Sequence, residues 1–79
     1  MATSVKNIAE HRNMPFLKKG MTVVVDGHRG RVASGNNSGN INVIFEDTSR
    51  FGKRSHNCHP KWHTTYYDKS GSIIADYQE

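Results

Sequence analysis

Apolar and polar residues alternate in short runs along most of this chain, and no long stretch repeats at the helical period. Residues 21–25 (MTVVV) are rich in β-branched side chains and read as a strand. Asp26-Gly27, which follows, is the strongest two-residue hairpin signal. Residues 28–34 (HRGRVAS) make the returning strand, in which Gly30 marks either a bulge or the close approach of another backbone. Residues 35–40 (GNNSGN) contain no apolar side chain and form an open hairpin loop. In the next run Ile41, Val43 and Phe45 share one face, and Asn42, Ile44 and Glu46 share the other. A polar loop (DTSRFGK) leads to a short strand-like run that Pro60 ends. Residues 63–68 (HTTYYD) form another strand with Tyr66 and Tyr67 on opposite faces, then a KSG turn and a last strand, SIIAD. Upstream, Ser4 is placed to cap a short helix through Glu10, and Met14-Pro15-Phe16-Leu17 reads as a docking segment.

Five or six short strands with no long helix between them leave no room for parallel crossovers, which need about a dozen residues or more. The sheet is therefore antiparallel, and the fold class is all-β. A chain of 79 residues is one small domain. Curling the sheet into a barrel buries one face and removes the edges. An oligonucleotide-binding barrel asks for longer strands and an internal helix, so an SH3-like barrel over residues 18–79 is the better fit, with residues 1–17 as an N-terminal arm.

Residues 19–32 (KGMTVVVDGHRGRV) resemble the KOW-type SH3-like barrel of ribosomal proteins and transcription elongation factors. Gly20, Val23, Val25, Gly27, Gly30 and Val32 fall on that pattern, and the INVIF run resembles the strand after it. The second glycine-rich stretch of that family is absent, and CHPKW lies outside the pattern. The resemblance implies an RNA or ribonucleoprotein partner. The chain as a whole is also similar to small phage-encoded accessory proteins, which implies a host protein as the rival partner.

Charge sharpens the picture. Residues 18–61 carry Lys18, Lys19, Arg29, Arg31, Arg50, Lys53, Arg54 and Lys61 against only Asp26, Glu46 and Asp47. The remainder of the chain after Lys61 has Lys69 against Asp68, Asp76 and Glu79. A basic body with an acidic end points to an anionic partner. One cysteine forms no internal disulfide, which favours a reducing, cytoplasmic setting. No apolar run approaches the roughly 18–20 residues that cross a bilayer, and the N-terminal stretch lacks the apolar core of a secretory signal. A monomer with no membrane partner is expected.

Residues 55–63 (SHNCHPKWH) concentrate His56, Cys58, His59 and His63, the right atoms for zinc. On a strand, however, His56 and Cys58 point opposite to His59, and no CxxC or CxxH knuckle is present. No metal and no cofactor is expected. A Cys58–His59 nucleophile fails on the same alternation, and paired carboxylates are missing, so no enzymatic activity is expected. Cys58 reads instead as a core thiol, with Trp62 folding back over the open end of the barrel. The histidines then form a polar rim beside Lys53, Arg54 and Lys61, interleaved with Phe51 and Trp62. Cations for phosphates and flat rings for bases are what single-stranded nucleic acid requires. The candidate binding set is Lys18, Lys19, Arg29, Arg31, Arg50, Phe51, Lys53, Arg54, Lys61 and Trp62. An acidic protein surface is the alternative partner for the same set.

Overall fold

The computed structural model describes residues 4–77. Six strands form one antiparallel sheet: β1 (Thr22–Val25), β2 (His28–Gly35), β3 (Ile41–Phe45), β4 (His56–Cys58), β5 (Thr64–Tyr67) and β6 (Ile73–Tyr77). Their order across the sheet is β4-β3-β2-β1-β5-β6, so the fold is all-β. Helix α1 (Val5–His11) precedes them, and one helical turn, α2 (Thr48–Phe51), fills the loop expected to be irregular. The Asp47 carboxylate caps that turn by accepting from the Arg50 amide, and the Phe51 ring stacks on Phe45 at 4.2 Å.

The β1–β2 hairpin closes on Asp26 and Gly27, both at positive φ (50° and 82°), as a two-residue turn between right-twisted strands demands. Gly30 is a close approach, since a Cβ there would lie 2.6 Å from the carbonyl oxygen of Ile44. The bulge falls farther along β2, between Val32 and Ser34.

The connection from β4 to β5 forces the sheet to curl. In a flat sheet those strands lie about 19 Å apart, four strand spacings, nearly the full reach of six extended residue steps. Residues 59–63 are not extended: the Trp62 amide turns back to the His59 carbonyl (3.3 Å), and His63 adopts φ 44°. Only a strongly curved sheet lets so compact a connector join its two sides.

Curvature stops short of closure, which corrects the expected barrel. Within the described residues β4 pairs only with β3, and β6 only with β5. Five of the six strands have five residues or fewer and do not enclose a core by themselves, and the arm completes it. Ser4 caps α1 by accepting from the Asn7 amide at 3.2 Å. Val5, Ile8 and Ala9, spaced to share one helical face, then join Met14 and Leu17 in one buried cluster with Val23, Val25, Val32, Ile41, Val43, Phe45 and Tyr66. Arg12 ties the arm to the loop after β2 through the Gly39 carbonyl (2.9 Å) and the Asn40 side chain (3.2 Å).

Trp62 is the second correction. It does not cover the open end: it is 50% exposed, and Pro60 is the buried member of the connector. The Pro60 and Trp62 carbonyls face the sheet, accepting from the Tyr66 and Thr64 hydroxyls at 2.6 Å each. With that backbone drawn inward, the indole is left outside.

Two sets of substitutions test this core. Ile8→Ala should cost about 2–5 kcal/mol, as for any emptied core site, whereas Trp62→Ala should cost about 1 kcal/mol or less. Gly30→Ala should cost about 1–3 kcal/mol by pushing β2 off β3. Urea denaturation of each variant supplies the comparison; an Ile8 variant as stable as wild type would place the arm outside the cooperative unit.

Candidate nucleic-acid interface

The candidate residues fall on three parts of the surface. At the end of the sheet that carries the Asp26-Gly27 turn, the His63 carbonyl accepts from the Asp26 amide at 2.8 Å. On the other side of the same turn, the His28 ring meets Phe51 edge-on at 5.0 Å. The turn thus stands between α2, with Arg50 and the following Lys53 and Arg54, and the connector, with Lys61, Trp62 and His63. Arg29 and Arg31 project from the outer face of β2, both exposed, as their spacing of two predicts. Lys18 and Lys19 precede β1 and lie at its other end, roughly 20 Å of extended chain from the turn. The sequence reading put all of these in one candidate binding set; the fold groups the elements that carry Arg50, Lys53, Arg54 and Lys61 around the turn and leaves Lys18 and Lys19 apart.

Their electrostatic settings differ. Arg29 is spent partly on Glu46, at 3.3 Å, an exposed pair worth about 1 kcal/mol or less. The Ser49 hydroxyl, helped by the Arg50 and Ser49 amides and the Arg50 charge, holds the Asp47 carboxyl below its ordinary value and keeps it anionic beside α2. Arg31, Lys53, Arg54 and Lys61 form no ion pair with a carboxylate among the described residues. Lys61 lies instead over the Tyr77 ring, 5.7 Å from its centroid.

The two candidate rings separate. Phe51 is half-buried, stacked on Phe45 and edged by His28 and His56, so its faces are occupied. Its carbonyl also accepts from His56 Nε2 at 2.6 Å, which puts the imidazole proton on that nitrogen. Phe51 therefore anchors α2 and is no stacking platform. Trp62 keeps its exposure and meets the His63 ring in a T-shaped contact at 4.6 Å and 90°. This four-ring cluster of His28, Phe45, Phe51 and His56 was not legible in the sequence, because its members come from four separate elements.

Among the described residues no group of three or more His, Cys, Asp or Glu side chains is placed to hold a metal ion. His56 and Cys58 face the core side, in register with Val43 and Ile41. His59 is exposed, its Nδ1 accepting from the Lys61 amide at 3.1 Å, and His63 leans on Trp62. Burial pushes the Cys58 thiol up, so it remains protonated, and it donates weakly to the His56 carbonyl at 3.5 Å.

Searches against known proteins find no matching family model, curated protein or solved structure.

The connector that presents Trp62 depends on Tyr66. Burial, reinforced by Tyr77 and then Cys58, pushes its phenol far above the ordinary value of 10.0. A raised folded value means that its contribution is complete below about pH 10 and is lost as pH rises through the folded value. Tyr66→Phe should cost about 1–3 kcal/mol at neutral pH by orphaning the Pro60 carbonyl, and should flatten the alkaline loss. Urea midpoints of both proteins at neutral pH and above pH 10 provide the measurement.

Proposed function

We propose that this protein is a non-enzymatic module that binds single-stranded nucleic acid at the end of the sheet carrying the Asp26-Gly27 turn. The observation that carries the reading is the half-exposed Trp62, held on a connector whose backbone is drawn inward while its indole stays outside. A half-exposed flat ring takes an unstacked base, for roughly 1–3 kcal/mol per base. Lys53, Arg54 and Lys61 supply the phosphate contacts, and Arg50 and Arg31 extend them along α2 and the outer face of β2. RNA is favoured over DNA on the resemblance of residues 19–32 to KOW-type SH3-like barrels. Phe51 drops out of the proposed contact set, and Arg29 contributes less than Arg31 because Glu46 already neutralises it.

The test is a titration of labelled oligouridylate and oligothymidylate at several salt concentrations. Each phosphate contact contributes about 0.7 to the slope of log K against log salt for single strands. Replacing Lys53 and Arg54 with alanine should flatten that slope by up to about 1.4. Trp62→Ala should weaken binding by about 5- to 150-fold while remaining folded. A wild-type protein that binds neither oligonucleotide at low salt would end the proposal.

A further inference from the structure

At the end of the sheet away from the turn, α1 leans against the last residues of β2 and leaves a groove of about 1010 Å³. Its apolar walls come from Val5 and Ala9 on α1, Leu17 after it, and Ala33 on β2. Three features converge there. First, β1 begins opposite Arg31, and the chain before it carries the pairing only to Val32: the Gly20 amide donates to the Val32 carbonyl (2.7 Å) and the Val32 amide to Met21 (3.0 Å). Among the described residues, 33–35 run on with no strand on that side, and all three line the groove. Second, the groove is bordered by Lys6, Lys18 and Lys19, with Glu10 the single acidic residue among the described lining residues. None of these lysines has a carboxylate partner among the described residues. Third, the walls are aliphatic: among the described residues no aromatic ring and no arginine lines this groove, so they offer a base nothing to stack on.

We propose that this groove docks an extended acidic segment of a partner protein. The segment adds a short strand to residues 33–35, lays alternate apolar side chains over Val5, Ala9 and Leu17, and sets its carboxylates against Lys6, Lys18 and Lys19. Strand addition gives affinity through backbone hydrogen bonds, and side-chain pockets give selectivity. The site lies apart from Trp62, Lys53 and Arg54 and does not depend on the nucleic-acid reading.

The experiment titrates ¹⁵N-labelled full-length protein with short synthetic peptides in which Asp or Glu alternates with Val, Ile or Leu. Expected are amide shifts and slowed hydrogen exchange at residues 33–35, and binding about tenfold weaker in the K6E/K18E/K19E variant. Should that variant fail to fold, Ala33→Leu, which fills the groove without changing charge, should weaken binding in its place. The K53A/R54A variant should bind the peptides as wild type does, which separates this site from the proposed nucleic-acid contacts. No peptide binding, shifts confined to other surfaces, or displacement of the peptide by oligouridylate would each overturn the assignment.

Discussion

Tyr66 donates its hydroxyl proton to the Pro60 carbonyl across 2.6 Å in a region closed to water, and four parts of the fold meet at that side chain. Its backbone pairs with Val23 of β1 on one side and Ala75 of β6 on the other. Its ring meets Phe16 of the arm edge-on at 5.3 Å and Tyr77 at 6.1 Å. Its hydroxyl fixes the connector from β4. In so small a domain, a buried phenol whose polar tip is satisfied supplies a large apolar body and a directional tie at the same position.

The connector translates that tie into a surface. Because Tyr66 and Thr64 draw the carbonyls of Pro60 and Trp62 toward the sheet, the indole is left outside. The proposed nucleic-acid contact and the proposed peptide groove have separate causes: hydrogen bonds to the connector backbone set the first. The strands are too short to enclose a core, so the arm completes it, and that leaves a gap between helix and strand at the end of the sheet away from the turn.

The strand pattern was legible wherever one face is dry and the other wet. Ile41, Val43 and Phe45 are buried while Asn42 and Ile44 are only half covered, and Tyr66 and Tyr67 divide in the same way. Asp26-Gly27 carries its own backbone preference, so the hairpin and its register follow from two residues. Closure was not legible, because it depends on how far a curved sheet reaches and on what else fills its concave side. Trp62 was misjudged for a related reason: hydrophobicity argues for burial, but hydrogen bonds made by residues 64 and 66 decide which way residue 62 faces. Of the candidate site, the spacing of Arg29 and Arg31 was readable along one strand. The Arg29–Glu46 pair and the occupied faces of Phe51 arise from neighbours across strands, which a linear reading does not supply.

The pairing of β1 with β5 joins segments about forty residues apart, with three strands between them in the chain. During synthesis, β1 and β2 emerge as a hairpin whose outer edge stays unpaired until residues 64–67 follow. Contacts of such sequence separation pay loop-closure entropy before they return any stabilisation. Until residues 64–67 follow, the chain therefore exposes the valines of β1 beside an open strand edge, and those residues decide whether that edge is covered by its own β5 or by a neighbouring chain.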